Sequence, residues 1–171
     1  MKPLKPRSRQ SLEAEVKHWT EDVSDEALLD VVAALERRIT KIDRRYDIPN
    51  LAGYSKDGST VYIDRHMPKS FVYRGHRVQT DCFLVAHEIV EKALLDQLRL
   101  HYLHAHQIAL RAEQAAVRAA GVEWRAYDRF TKANEKAIGN ERLKRVPKAL
   151  DLTPYRDEKD FEELKAIAVA D

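Results

Sequence analysis

The feature that most constrains this chain is the stretch Leu84-Val-Ala-His-Glu-Ile-Val-Glu-Lys-Ala-Leu-Leu-Asp-Gln-Leu98. On a helix of 3.6 residues per turn, Leu84, His87, Glu91, Leu94 and Leu98 recur at steps of three and four and share one stripe. The leucines direct that stripe to a core. His87 and Glu91 stand in the middle of it, and a carboxylate there is costly unless it is paired or bound to a metal. Glu88 is rotated about 100° from His87, at the border of the same face. The stretch predicts a buried helix from Thr80 or Asp81, as cap, to about Leu98, with ionisable chemistry on its inward side.

A second helix with the same oddity follows after a few residues. Tyr102 to Ala120 is rich in alanine, which favours helix, and Gly121 is a natural stop. Tyr102, His106, Ala109, Leu110, Glu113, Val117 and Ala120 form its apolar stripe, interrupted by one histidine and one glutamate. A short link makes two such helices antiparallel neighbours. Together they direct up to four nitrogen and oxygen ligands at one place, as in metal sites of helix bundles. His87 and Glu91 are about 6 Å apart along the axis, close enough to share an ion. His106 and Glu113 are about 10.5 Å apart, so one of them is the third ligand and the other its hydrogen-bonding support. His106 is the first choice, giving a His₂Glu set of the kind that holds catalytic zinc. The opposite assignment, with Glu113 as ligand, stays open.

Elsewhere the chain reads as helix, then strands, then helices. Ser24 is an N-cap, and Leu28, Val31, Leu35, Ile39 and Ile42 predict an amphipathic helix over 24–45. Arg37, Arg38, Arg44 and Arg45 read as its solvated face, with anion binding as the alternative. Asp57-Gly58 signals a hairpin turn before Thr60-Val-Tyr-Ile63, and Phe71-Val-Tyr73 with Gly75 suggests another. Two or three antiparallel strands are expected within 52–79, with Asp64, Arg65 and His66 at a strand end. His18, His66 and His76 have no evident partner, and His101 and His104 fall in the turn between helices. Trp124, Tyr127 and Phe130 open a charged helix reaching about Arg145, and a short helix or tail is expected over 157–165. Tyr102 and Tyr127 are candidates for a hydroxyl that stabilises an oxyanion. Residues 11–22 offer a short helix carrying Trp19.

Composition narrows the function classes. With 30 basic and 28 acidic side chains, the net charge of +2 is too balanced to argue for nucleic acid or a membrane, and nucleic-acid binding through the basic arm and arginines is the weaker reading. No apolar run reaches the ~18 residues of a membrane span. The single cysteine, Cys82, cannot form an internal disulfide and reads as a small core residue in a reducing, cytoplasmic compartment. The basic, proline-containing start lacks an apolar segment and is not a secretory signal. The expected organisation is a flexible basic arm over 1–22 and a single metal-binding domain over 23–171.

The motif His87-Glu88-x-x-Glu91 differs by one letter from the H-E-x-x-H helix of metallohydrolases. With Val61-Tyr-Ile-Asp64 as a preceding strand, it resembles the minimal zincin-like metallopeptidase fold. That group includes the small ImmA/IrrE-type proteins of bacteria and phages. The resemblance spans residues ~52–120 and implies an α+β, mainly α, zincin-like fold: a small antiparallel sheet on a bundle of about four to six helices. It further implies a strand edge that holds an extended peptide or protein substrate. Glu88 would be the general base that takes a proton from water whose pKa the ion has lowered. The glutamate at 91 departs from the family's second histidine; carboxylate ligation weakens the Lewis acid, and admits manganese or iron beside zinc. Glu113 lies downstream of Glu91 at a distance resembling the third-ligand glutamate of gluzincins. Two functions compete: a metal-dependent hydrolase, and a non-catalytic phage-related or regulatory interaction protein in which these residues are a structural metal site or buried polar network.

Overall fold

In the computed structural model, which describes residues 24–170, Ser24 accepts a hydrogen bond from the Ala27 amide at 3.2 Å and starts helix α1 (Asp25–Glu36). The helix is shorter than its apolar repeat predicts. Beyond Glu36, Thr40 gives both its amide and its hydroxyl to the Ser59 carbonyl, at 2.9 and 3.1 Å. Residues Lys41–Asp43 then form strand β1 instead of a further helical turn. Ile39, Thr40 and Ile42 are β-branched and suit a strand, so tertiary pairing overrides the helical spacing. Leu28 and Val32 are the residues α1 buries, while Val31 and Ile42, both on the predicted stripe, lie 46% exposed.

The strands number five among the described residues and divide into two sheets. β3 (Thr60–Ile63) is central, with β1 parallel on one side and β2 (Ala52–Tyr54) antiparallel on the other. The sheet is therefore mixed, where a purely antiparallel one was expected, because the residues read as the end of a helix supply its third strand. The β2–β3 turn is the one Asp57-Gly58 predicts. Gly58 takes φ 70°, and Asp57 Oδ1 accepts bonds from the Ser59 amide and from the hydroxyls of Ser55 and Ser59. The second sheet is the hairpin β4 (Ser70–Tyr73) and β5 (His76–Gln79), joined through Arg74 and Gly75, both at positive φ. That two-residue turn matches the twist of the paired strands.

Helices make up most of the remainder: α2 (Asp81–Leu98), α3 (Tyr102–Ala119), α4 (Trp124–Gly139), α5 (Thr153–Asp157) and α6 (Phe161–Ala170). The protein is thus α+β and mainly helical. α2 is the centre. It is buried on every side from Phe83 to Lys92, a continuous run rather than one stripe, whereas Leu98 at its end is 64% exposed. Thr80 stands at its N-cap position but turns its hydroxyl to the Pro68 carbonyl at 2.8 Å, so the expected side-chain cap is absent. α3 lies antiparallel after a link in which Arg99 adopts φ 54°. Ala105, Ala109, Ala112 and Ala115 are fully buried, and such small side chains let helix axes approach closely. The β4–β5 hairpin stacks Phe71 on Phe130 of α4, ring centroids 4.8 Å apart, and so presses α4 toward α3.

Two of the four arginines of the basic cluster are engaged in this framework. Arg44 bonds Asp81 Oδ1 at 2.5 Å and the Met67 carbonyl, and Arg45 bonds Asp43. Cys82 is exposed, not a core residue. His66 has partners after all: its Nδ1 lies 2.9 Å from Glu141 and 3.3 Å from Asp64. The expectations for residues 1–22, including the helix with Trp19, fall outside the described residues.

Buried carboxylates tie the loops together. Asp64 accepts the Ile48 and His66 amides, and Asp47 accepts the Lys144 and Arg145 amides at 2.7 and 2.8 Å with Arg65 Nε at 2.5 Å. Burial pushes the Asp47 carboxyl up, but the two amides and Arg65 outweigh it and hold it below the ordinary range. Its stabilisation is fully present above the unfolded value of about 4 and is lost as pH falls through the lower folded value. Replacing it leaves the Lys144 and Arg145 amides and the Arg65 guanidinium without their acceptor. In urea denaturation at neutral pH, Asp47→Ala is expected to lose about 3 kcal/mol, and the deficit relative to wild type to shrink on acidification.

Candidate metal centre

Burial of α2 on all sides puts His87, Glu88 and Glu91 in the interior, and the alanine contact brings α3 against them. His87 Nε2 lies 3.1 Å from His106 Nδ1. Glu91 Oε2 lies 3.0 Å from His106 Nδ1 and 3.4 Å from His87 Nε2. Three donor atoms from two helices therefore face one another in a triangle. Glu113 is not in it. Its Oε2 lies 3.0 Å from His87 Nδ1, on the far side of that ring, and its Oε1 accepts the Tyr127 hydroxyl at 2.7 Å. Of the two alternatives on α3, the geometry brings His106 to the triangle and puts Glu113 behind His87.

Glu113 also settles the histidine's proton. A carboxylate at Nδ1 favours hydrogen there, so Nε2, which faces the triangle, is the nitrogen that gives up its proton when a lone pair is needed. Burial works against the imidazolium of His87, but Glu113 and Glu91 outweigh it and raise its pKa well above the ordinary value. Burial also pushes Glu91 up, yet bonds from His106 and His87 prevail and hold its carboxyl low, at about 2. Glu91 Oε1 accepts the Tyr54 hydroxyl at 2.9 Å. Burial raises the phenols of Tyr54, Tyr102 and Tyr127, so all three remain hydrogen-bond donors.

Glu88 differs from the other carboxylates. It is 8% exposed, and it makes no hydrogen bond or ion pair with any described residue. Burial first, then the charge of Glu91, raises its pKa, with His87 opposing. It lines the same cleft as the triangle, a cavity of about 1020 Å³. Tyr54 on the β2 side and Tyr102, Asp151 and Tyr155 wall one end. The other end runs between α3 and α4, past Arg111, Trp124 and Asp128.

The donor set fits a divalent ion. Bonds of about 2.0–2.2 Å in a tetrahedron put ligand atoms about 3.3–3.6 Å apart, and the triangle's edges of 3.0, 3.1 and 3.4 Å are within a few tenths of that. A second group, Asp47, Asp64 and His66, is close enough to chelate, but its carboxylates already serve backbone amides.

Two supports escaped the sequence reading. Tyr54 looked like part of a strand, and only the pairing of β2 with β3 aims its ring at α2. Lys92 carries no such signal in the sequence; its side chain is 8% exposed and bonds Asp151 at 2.7 Å and Asp96 at 2.9 Å, with the Tyr54 ring centre 5.4 Å away. His101 accepts the Leu103 amide at 3.3 Å at the start of α3, a capping role. Tyr102 places its hydroxyl 3.4 Å from His106 Nδ1, whereas Tyr127 is committed to Glu113.

No protein-family model matches the chain, and no curated protein or solved structure is significantly similar to it. Among the described residues no helix is long and apolar enough to cross a membrane.

Lys92→Met leaves Asp151 partly buried without its cation. We expect a loss of about 2–4 kcal/mol in chemical denaturation, with the variant still folded at 25 °C.

Proposed function

We propose that the protein is a metal-dependent hydrolase acting on peptides, with His87, Glu91 and His106 holding a zinc ion and Glu88 serving as general base. The observation that carries this reading is the triangle of donor atoms with an unpaired, buried carboxylate beside it in the same cleft. Bound there, zinc, or manganese or iron in its place, would supply a Lewis acid that acidifies water and polarises a carbonyl.

The chain's own residues divide the rest of the work. Glu88 takes the proton from the attacking water; burial and Glu91 raise its basicity, and a bound cation would bring it back toward the ionised form. Glu113, held by Tyr127, fixes the orientation of His87. Tyr102, whose hydroxyl lies 3.4 Å from His106 Nδ1, would donate to the substrate oxygen. An extended peptide fits the side of the cleft formed by β2. The β3 strand that prompted the zincin-like comparison is central and paired on both edges, so β2 takes the edge role. Leu51 and Ser55 bond toward β3, so by alternation Ala52 turns its N–H and C=O to the other side. The segment at Asp151, whose amide bonds the Tyr54 carbonyl, limits that edge.

A non-catalytic scaffold is the second reading, favoured by the way the triangle's donors already hydrogen-bond one another. Glu88→Gln separates the two. We expect the variant to retain one equivalent of metal while cleavage of a pool of unstructured peptides, read by mass spectrometry, falls about 10²–10⁴-fold. Cleavage undiminished in the variant would refute the role of Glu88. No cleavage by metal-loaded wild type, with a melting point that drops on chelation, would favour the scaffold.

A further inference from the structure

The carboxylate of Glu91 presents its two oxygens to different neighbours. Oε2 faces His106 Nδ1 and His87 Nε2, while Oε1 accepts the Tyr54 hydroxyl at 2.9 Å. We propose that Tyr54 is a positioning residue that confines Glu91 to one ligand oxygen, and so sets the centre for a four-coordinate ion such as zinc over manganese. This rests on the metal-binding reading above.

The hydroxyl is well fixed. Tyr54 is 2% exposed, its backbone pairs with Val61, and its carbonyl accepts the Asp151 amide at 2.9 Å. Lys92 lies 5.4 Å from its ring centre and is itself pinned by Asp96 and Asp151. The bond runs from hydroxyl to carboxylate, because an ionised carboxylate only accepts. An oxygen that receives this bond is held away from the ion. Remove the hydroxyl, and Oε1 becomes a buried acceptor without a partner, for which a nearby cation is the best replacement. A carboxylate that binds through both oxygens raises the coordination number and adds hard donor character, which favours manganese relative to zinc. The Tyr127 hydroxyl has no such lever, because it bonds Glu113, which is outside the triangle.

The test uses cobalt(II) as a spectroscopic stand-in on the full chain, with Tyr54→Phe and Tyr127→Phe. Four-coordinate cobalt absorbs visible light several-fold more strongly than five- or six-coordinate cobalt. Wild type and Tyr127→Phe are expected to give the intense spectrum. Tyr54→Phe is expected to lose most of that intensity, to bind zinc about 10–100-fold more weakly, and to lose less affinity for manganese. X-ray absorption on wild-type cobalt protein, which needs no variant to fold, is expected to count four near ligands. Five or more there would overturn the proposal. So would an unchanged spectrum in Tyr54→Phe, or an equal loss in Tyr127→Phe, and in those cases the metal reading survives. If wild type takes up no cobalt and no zinc, both fail together.

Discussion

The hydrogen bond between Glu113 and His87 Nδ1 is the interaction on which the centre depends. It joins the two principal helices across their buried interface, and it decides which nitrogen of His87 faces the triangle. Without it, His87 would keep only the contacts of its Nε2 with His106 and Glu91, and nothing would hold its Nδ1. With it, both ring nitrogens have a partner and the ring is oriented. Tyr127 fixes the carboxylate from α4, and the β4–β5 hairpin packs against the aromatic residues that carry Tyr127. Orientation at the centre is thus drawn from elements far apart in the chain.

The sheet makes the corresponding contribution from the opposite side. Central strand β3 aligns β2, β2 aims Tyr54 at Glu91, and the segment through Asp151 locks the end of β2 through Lys92. Ion pairs of this kind do not by themselves make a protein stable, because desolvation offsets much of their attraction. Their effect here is on geometry. Each carboxylate near the triangle has a designated partner, except Glu88. Burial raises the Glu88 carboxyl above its ordinary range, and its place beside the triangle in the same cleft is the observation behind the proposed chemistry.

Much of the centre could be read from the sequence, because helical periodicity is a short-range property. The spacing of His87 and Glu91, the second pair on the alanine-rich helix, and the short link between them placed the residues on facing helices. The assignment of His106 over Glu113 needed three dimensions, since seven residues on one helix leave both within reach of a partner. The end of α1 was misjudged because β-branched Ile39 and Ile42 satisfy a helical stripe and a strand equally well, and the parallel partner β3 lies about twenty residues away in sequence. Tyr54 and Lys92 were illegible for a similar reason: a strand residue's facing and a lysine's burial depend on remote neighbours. The Asp57-Gly58 and Gly75 turns, by contrast, are written in local backbone chemistry and were readable.

The central claim is that His87, Glu91 and His106 form one metal site supported, not completed, by Glu113. Calorimetric zinc titration of wild type, His106→Ala and Glu113→Gln tests it most directly. The account predicts one equivalent bound by wild type, none tightly by His106→Ala, and one equivalent with about 10–100-fold weaker affinity in Glu113→Gln. Full affinity in His106→Ala together with none in Glu113→Gln would contradict the assignment, and no binding by wild type would contradict the metal centre itself.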